Sequence, residues 1–254
     1  MLLNGKVAVI HGAGGAIGGA VARTFAREGA KVFLCGRKVA DIEAVADEIV
    51  AAGGDAVAAA VDALHEEAVE QHAASVVKQA GRIDVILNAI GFKVVQGIPL
   101  IDLSREDFIS PITTWTTAQF LTARAAARHM VPQRSGVILM LSSSPARLAI
   151  ASTGGFGVAC AAIEGLSRTL TAELSPHGVR VVCIRPHRIG ETLGPDPDFR
   201  MDRDEFRSLI ENMTLLKRLP TLADVANTAA FMASDNAAAM TGAVANVTCG
   251  MSID

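Results

Sequence analysis

The residues best suited to hold a ligand form a glycine-rich segment at positions 11–18, His-Gly-Ala-Gly-Gly-Ala-Ile-Gly. It joins a β-branched run to an alanine-rich stretch of helical spacing, where Gly12 suits a sharp turn and Gly18 lets the helix pack closely on the strand. The start of such a helix offers unpaired N–H groups to phosphates. The alternative is a glycine-rich turn without a ligand. We predict a dinucleotide-binding loop that consists of Gly12, Gly14, Gly15, Ala16, Ile17 and Gly18.

The end of the second predicted strand is where the adenosine ribose of a dinucleotide would lie. A carboxylate there would bind the ribose hydroxyls and favour NAD. This chain has Arg37 and Lys38 instead, two cations with no adjacent acid. Because positive side chains suit a 2′-phosphate, the pair predicts NADP as the cofactor, with NAD less favoured. The alternative is that both residues simply begin a solvated helix.

Other reactive side chains do not form a recognisable site on their own. The three serines at 142–144 have no obvious base beside them, which argues against a serine hydrolase. The four cysteines are far apart without a CxxC pair, so we predict reduced thiols and no metal site. Four histidines lack ligand spacing and are predicted to lie on the surface: His65, His72, His129 and His177.

The elements that must position these groups alternate along the chain. β-branched runs predict strands over 6–10, 31–35, 56–61, 83–87, 137–141, 179–184 and 244–247. Helical spacing predicts helices over 16–28, 41–52, 66–79, 113–130 and 157–173. Apolar strands that each precede a helix are typical of a parallel sheet buried on both faces. The sequence therefore predicts a single α/β domain over 1–254, of the Rossmann type, with a doubly wound seven-stranded parallel sheet. An irregular segment at about 187–214 is predicted to be a lid over the ligand crevice.

The composition narrows the partners. Half of the 254 residues are hydrophobic, tyrosine is absent, and the formal net charge is −3. Such a charge gives no reason to expect nucleic acid or an anionic membrane as a partner. No apolar stretch reaches the roughly 18 to 20 residues of a spanning helix, and the amino terminus lacks the features of a signal peptide. We expect a cytoplasmic protein.

The order of these motifs resembles the short-chain dehydrogenase/reductase family over essentially the whole chain. The glycine segment is similar to the family's TGxxxGxG loop, Asn88-Ala-Ile-Gly91 to its NNAG motif, and Pro186-His187 to its Pro-Gly pair beside the nicotinamide. The resemblance implies an oxidoreductase that binds NADP(H) and an unidentified small molecule, and a homo-oligomer, either a tetramer or a dimer. It adds further cofactor-binding residues: Asp62, Ala63, Asn88, Ala89, Ile90, Gly91, Pro186 and Ile189.

The same resemblance leaves most catalytic positions vacant. It places Ser143 at the family's catalytic serine, but Phe156 at the tyrosine, Cys160 at the lysine and Trp115 at the asparagine. Phe156 has no hydroxyl to pass a proton, and Cys160 supplies no cation to lower an acid's pKa. We interpret Cys160 as a small packed residue; a reactive thiol is the alternative. The family's tyrosine-dependent carbonyl–alcohol mechanism therefore cannot operate here as written.

His187 is the first candidate for an alternative proton donor, because histidine ordinarily titrates near neutrality and the residue stands beside the expected nicotinamide. The alternative is that His187 points to solvent in the lid. Two functions are favoured at this point, and a third, non-redox catalysis on the same scaffold, stays open without a residue that supports it. One is an NADP-dependent oxidoreductase of divergent mechanism; the other is a catalytically inactive cofactor-binding, scaffold or regulatory homologue.

Overall fold

The computed structural model describes residues 1–193 and 202–253, and its centre is one sheet of seven strands. All neighbouring strands are parallel, in the order β3-β2-β1-β4-β5-β6-β7. The strands are β1 (Val7–His11), β2 (Lys31–Gly36), β3 (Asp55–Ala60), β4 (Val85–Asn88), β5 (Gly136–Leu141), β6 (Val179–Pro186) and β7 (Val244–Val247). The predicted doubly wound α/β fold is confirmed.

Seven α-helices in the described part of the chain cover both faces of the sheet. They are α1 (Ala16–Arg27), α2 (Val39–Ala51), α3 (Glu66–Ala80), α4 (Arg105–Gln133), α5 (Gly155–Leu174), α6 (Arg203–Met213) and α7 (Leu222–Ala233). Helices α1, α2 and α7 share one hydrophobic cluster, and α3, α4 and α5 share another. Alternate residues of β1 enter the two clusters, Ile10 the first and Val9 the second. Both faces of the strand are therefore buried, as its unbroken apolar run indicated.

The order in which successive strands are added to the sheet reverses at β1. Strands β2 and β3 extend to one side of β1, whereas β4 to β7 extend to the other. His11 at the end of β1 consequently lies between Cys35 of β2 and Asn88 of β4. In open parallel sheets such a reversal creates a crevice at the carboxyl ends of the strands. The predicted glycine loop leaves β1 at this crevice.

Some predicted bounds differ from the structure. Helix α4 begins at Arg105 rather than near 113, because Ser104 caps it through the Asp107 backbone N–H and the helix continues through Pro111. Helix α7 was not predicted, although Thr221 and Asp224 form a capping box at its start.

The predicted lid over 187–214 is not the irregular loop that we expected. Its first residues, His187 and Ile189, are buried, and helix α6 forms most of its second part. Residues 194–201 of the predicted lid lie outside the described residues. Within the described residues, 1–193 and 202–253, no helix is both long enough and apolar enough to cross a membrane.

Candidate functional site

The glycine loop is shaped by close backbone contacts. Gly12 has a φ of +79°, and a Cβ there would lie 2.7 Å from the carbonyl carbon and oxygen of Ala89 on the neighbouring strand connection. A Cβ at Gly18 would overlap the carbonyl oxygen of Gly12. Only glycine therefore allows this turn and the close approach of α1 to β1.

The amino terminus of α1 is open. Its first flanking residue is Gly15, with no side-chain cap, and its first turn contains no acid. By contrast, α3, α4 and α7 are capped by the side chains of His65, Ser104 and Thr221. An uncapped helix start leaves backbone N–H groups and the positive dipole end available to an anion. The loop therefore has the properties of a phosphate site.

A cleft of about 330 Å³ opens beside this loop. Most of the predicted cofactor residues line it: Gly12, Gly14, Gly15, Arg37, Lys38, Asp62, Ala63, Ala89, Ile90 and Gly91. Sequence reasoning missed the remaining wall residues, which are Gly36, Asp41, Ile42, Val61 and Phe92. The cleft and the open helix end fit the adenosine and phosphate part of a dinucleotide.

The other predicted cofactor residues do not line this cleft; they are Ala16, Ile17, Gly18, Asn88, Pro186 and Ile189. The first three form the opening turn of α1. The Asn88 side chain donates a hydrogen bond to Thr122 Oγ1 (3.0 Å) and accepts one from the Ile90 N–H (3.1 Å). Asn88 therefore holds β4 against α4 and shapes the turn that carries Ile90 to the cleft.

The charges at the ribose end are mixed. Arg37 and Lys38 are exposed, and neither forms an ion pair with any residue in 1–193 or 202–253. Asp41, in the first turn of α2, lines the same cleft. Gly14 approaches it so closely that a Cβ would lie 2.8 Å from the Asp41 Cβ. Besides the predicted Asp62, the cleft therefore contains a second carboxylate, Asp41, which arrives from the helix rather than from the strand end.

Two histidines, the buried His11 and the half-buried His72, lie close to the start of the loop. The rings of His11 and His72 are 6.3 Å apart, and the Cys35 sulfur is 3.5 Å from the His72 ring nitrogens. Burial, with a smaller contribution from His72, lowers the pKa of His11 to about 3. The prediction that His72 lies on the surface was wrong: it is half-buried, and burial lowers its pKa as well. Both histidines are neutral at physiological pH.

The three serines after β5 each contact a different partner around the end of β6. Ser142 donates to Glu164 Oε1 (2.9 Å), and Ser143 donates to the carbonyl of Pro186 (3.2 Å). Ser144 Oγ lies 2.7 Å from Nδ1 of His187. The expectation that these serines have no base beside them was wrong for Ser144. The pair still lacks a hydrolase arrangement, because the Ser144 hydroxyl is buried and, in the part of the chain that the structure describes, no acid bonds to the imidazole.

The structure bears on both interpretations of His187. The alternative that it points to solvent is wrong, because the residue is only 6% exposed. Burial, reinforced by the adjacent Arg188, lowers its pKa to about 4. His187 is therefore neutral near pH 7 and cannot serve there as a positively charged general acid.

A second cavity, of about 410 Å³, lies against this serine–histidine region. Its polar side chains include Ser143, Ser144 and His187 from the strand ends and Gln96 from the loop after β4. Phe156 and Ile150 contribute apolar surface. This mixture suits a small ligand that is oriented by a few polar contacts.

Three aromatic rings lie between the cleft and the second cavity. Phe92 lines the cleft, Phe156 lines the cavity, and Trp115 contacts both rings. The Trp115 and Phe156 rings meet edge to face at 4.9 Å. The indole N–H of Trp115 is buried and has no hydrogen-bond partner within 1–193 and 202–253. The residues that the resemblance places at the asparagine and tyrosine positions therefore pack against each other.

Cys160 is fully buried one turn further along α5. Burial raises the pKa of its thiol to about 12, although a hydrogen bond from the Ser143 backbone opposes the shift. The thiol is thus protonated at neutral pH, which argues against the reactive alternative.

A buried ion pair links α5 to β6 next to the serine–histidine region. Glu164 of α5 binds Arg185 of β6 through two contacts, Nε to Oε1 at 2.7 Å and Nη2 to Oε2 at 2.8 Å. Both side chains are nearly inaccessible to solvent. With the hydrogen bond from Ser142, the pair joins β5, β6 and α5. Among the described residues, no group of three or more His, Cys, Asp or Glu side chains is arranged to hold a metal ion.

Comparison with known proteins identifies the family. A sequence profile described as enoyl-(acyl carrier protein) reductase matches residues 12–252. The chain is 32% identical to an uncharacterized oxidoreductase of Mycobacterium tuberculosis (strain CDC 1551 / Oshkosh), over 98% of this chain and 93% of that protein. This chain belongs to the short-chain dehydrogenase/reductase family.

Two further members show the extent of the similarity. The chain is 30% identical to L-rhamnose 1-dehydrogenase (NAD(P)(+)) of Azotobacter vinelandii (strain DJ / ATCC BAA-1303), over 100% of this chain and 99% of that protein. A crystal structure of NAD⁺-bound xylitol dehydrogenase superposes with a TM-score of 0.91 at 26% identity, covering 98% of this chain and 100% of that one. The resemblance drawn from the motifs is confirmed at the level of the family and of its oxidoreductase character. The roles assigned to Trp115, Phe156 and Cys160 stay a prediction.

Proposed function

We propose that this short-chain dehydrogenase/reductase is an NADP(H)-dependent oxidoreductase that works without the family's tyrosine and lysine. Its substrate would be a small molecule that needs little acid catalysis, such as an iminium ion or an activated alkene. The observation that carries the cofactor assignment is the unpaired cationic edge formed by Arg37 and Lys38 at the mouth of the cleft.

The described residues fit the dinucleotide at its phosphate end. The pyrophosphate would accept hydrogen bonds from the open amino terminus of α1, where Gly12 and Gly18 keep the backbone clear of side chains. Arg37 and Lys38 would neutralise a 2′-phosphate, while Asp41 would lie near enough to oppose it. NADPH supplies a hydride when bound.

The chain's own residues would orient the substrate in the second cavity. Ser143 lies at its edge and donates its hydroxyl hydrogen to the Pro186 carbonyl, so it would orient a substrate as a hydrogen-bond acceptor. Phe156 offers an apolar edge and cannot transfer a proton. A substrate whose reaction depends on the family tyrosine would therefore react slowly, whereas an electron-poor acceptor would tolerate the change.

A binding experiment tests the cofactor assignment. Calorimetry with NADPH and NADH should give the tighter dissociation constant for NADPH. The double variant Arg37→Ala/Lys38→Ala should raise the dissociation constant of NADPH by about 10- to 100-fold, which corresponds to the loss of about 1–2 charge-assisted hydrogen bonds. The dissociation constant of NADH should stay nearly unchanged. Arg27→Ala, an exposed cation on α1 away from the cleft, is the matched control. Equal affinities for both cofactors would refute the assignment.

A turnover experiment tests the activity itself. Purified protein is mixed with NADPH and a panel of aldehydes, ketones, cyclic iminium ions and enones, and absorbance at the reduced nicotinamide band is followed. Oxidation should occur with the iminium ions or enones and be slow with simple ketones. If NADPH binds but no compound is reduced, the oxidoreductase proposal fails.

The aromatic packing favours a second function, a cofactor-binding protein without turnover. The Trp115 and Phe156 rings pack edge to face between the two cavities. The Cys160 thiol is buried and neutral. The double variant Phe156→Tyr/Cys160→Lys tests whether only the proton relay is missing. Carbonyl reduction by that variant would favour a lost relay. A folded variant that binds NADPH and stays inactive would favour a diverged, non-catalytic pocket.

A further inference from the structure

The Ser144–His187 pair provides an unused hydrogen-bonding group. Nδ1 of His187 lies 2.7 Å from Ser144 Oγ, whereas Nε2 is buried and has no hydrogen-bond partner among the described residues. Buried polar atoms are nearly always paired, so an unpartnered one points to a missing ligand or water. His187 lines the 410 Å³ cavity, which gives such a ligand a place to bind.

Two tautomers of His187 fit this contact: either the Ser144 hydroxyl donates to Nδ1, or Nδ1–H donates to Ser144 Oγ. Donation by Ser144 is favoured, because its hydroxyl has no other acceptor among the described residues. In a neutral imidazole, an accepting Nδ1 leaves the proton on Nε2. The ring is neutral because burial and the neighbouring Arg188 oppose a second proton. With Ser144 as the donor, Nε2–H is an uncharged hydrogen-bond donor.

We propose that Nε2–H of His187, with its tautomer set by Ser144, donates a hydrogen bond to the carbonyl oxygen of the substrate. Resting on the proposed function, this inference selects between its two substrate classes. A carbonyl oxygen has lone pairs for an N–H donor, whereas an iminium ion has none and carries a positive charge. An activated alkene conjugated to a carbonyl is the class that fits. Ser144 is then a positioning residue and His187 the group that touches the substrate.

Nε2 is shielded from bulk solvent in the ligand-free protein. An oxygen in the cavity can therefore reach Nε2 only through a local shift of the cavity wall that keeps the Ser144–His187 hydrogen bond. In a partly buried site a hydrogen bond polarises a carbonyl more strongly than it does in water.

Nitrogen-15 NMR of the full chain, with labelled histidine, tests the tautomer without any cofactor or turnover. His187 should show a protonated Nε2 and an unprotonated Nδ1 at pH 7. Ser144→Ala should mix the two tautomers, whereas Thr153→Val, which removes another hydroxyl lining the same cavity, should not. A protonated Nδ1 in the wild-type protein, or a charged ring at pH 7, would overturn the proposal.

Infrared difference spectroscopy with cyclohex-2-enone as the probe tests the contact. The bound carbonyl stretch should move to lower wavenumber, and His187→Leu should abolish the shift and weaken the enone by about tenfold, the worth of one hydrogen bond. His187→Gln, which keeps an N–H donor, should retain part of it. An unchanged stretch in His187→Leu, or tighter binding of an N-methyl dihydroisoquinolinium ion than of the enone, would overturn the proposal. If His187→Leu does not fold, the tautomer measurement decides. Because neither readout needs NADPH, failure here differs from failure of the NADPH assignment.

Discussion

The two ends of the crevice are shaped by opposite means. At the end of β1, glycines determine the shape. Because Gly12 and Gly18 have no side chain, the backbone at Gly12 lies close to that at Ala89, and the backbone at Gly18 lies close to that at Gly12. At the ends of β5 and β6, paired polar side chains fill the space, led by Glu164 with Arg185 and by Ser144 with His187. The first arrangement leaves room and free N–H groups for a generic phosphate ligand. The second depends on particular side chains, so substitutions there change chemistry while the cofactor loop stays intact.

The largest effect is expected where the second arrangement is broken. Glu164→Gln should lower the free energy of unfolding by about 3–5 kcal/mol, because Arg185 stays buried without its counter-charge. Denaturant unfolding measures this loss. Glu48→Gln removes the partner of Arg23 in an exposed pair and should cost less than about 1 kcal/mol. Equal losses in both variants would mean that burial of the pair contributes nothing.

A smaller effect is expected where the first arrangement is broken. Gly12→Ala should weaken NADPH on the order of 100-fold, because a positive φ costs an alanine about 1–2 kcal/mol and its Cβ displaces the Ala89 backbone. Gly53→Ala is the matched control, since Gly53 also has a positive φ, +83°, but open space around its Cβ position. It should destabilise the fold slightly and leave NADPH binding intact. Weakened NADPH in the control would show that fold stability, rather than the loop, governs binding.

Acid should destabilise both regions through one buried histidine each. The pKa of His11 is lowered to about 3 and that of His187 to about 4, from an ordinary value of 6.5. The unfolded chain therefore binds more protons below pH 6.5, so stability is full above that pH and falls as pH drops toward 4. Each histidine contributes a slope of about 1.4 kcal/mol per pH unit within that window.

Unfolding titrations between pH 4 and 8 check this dependence. His11→Asn and His187→Gln should each remove about one proton from the slope, and His177→Gln, at an exposed position, serves as the control. If His187→Gln left the slope unchanged, its ring would be protonated or solvated in the folded protein.

The smallest effect concerns the acid in the cofactor cleft. Asp41→Asn should tighten NADPH by about threefold, since a partly screened repulsion between its carboxylate and a 2′-phosphate is relieved. The effect should shrink with added salt and be absent for NADH. Weaker NADPH binding by Asp41→Asn would instead show that the carboxylate binds a ribose hydroxyl, and would favour NAD.

Much of the cofactor cleft could be predicted because its signals are local. The turn is predicted by residue type alone, from Gly12, Gly14 and Gly15. The two cations, Arg37 and Lys38, directly follow a strand. Asp41 was missed because it lies one helical turn beyond the strand end and reaches the cleft only through the packing of α2 against the loop.

The region around Ser144 and His187 could not be predicted in the same way. These residues are 43 positions apart in the chain and meet only because β5 and β6 pair in a register that sets Leu141 opposite Ile184. A shift of one residue would turn each side chain to the other face. The burial that keeps His187 neutral comes from the same packing.

The sequence by itself determined the α/β alternation, the glycine loop and the absence of any tyrosine, because hydrophobic spacing and residue type are properties of single segments. The tertiary structure decided which polar groups are paired, which are left without a partner and which are uncharged. The physical reason is that hydrogen bonds and desolvation depend on neighbours supplied by distant segments. Phe156 illustrates both kinds of information. The sequence alone shows that it lacks a hydroxyl, whereas its edge-to-face contact with Trp115 is known only from the fold.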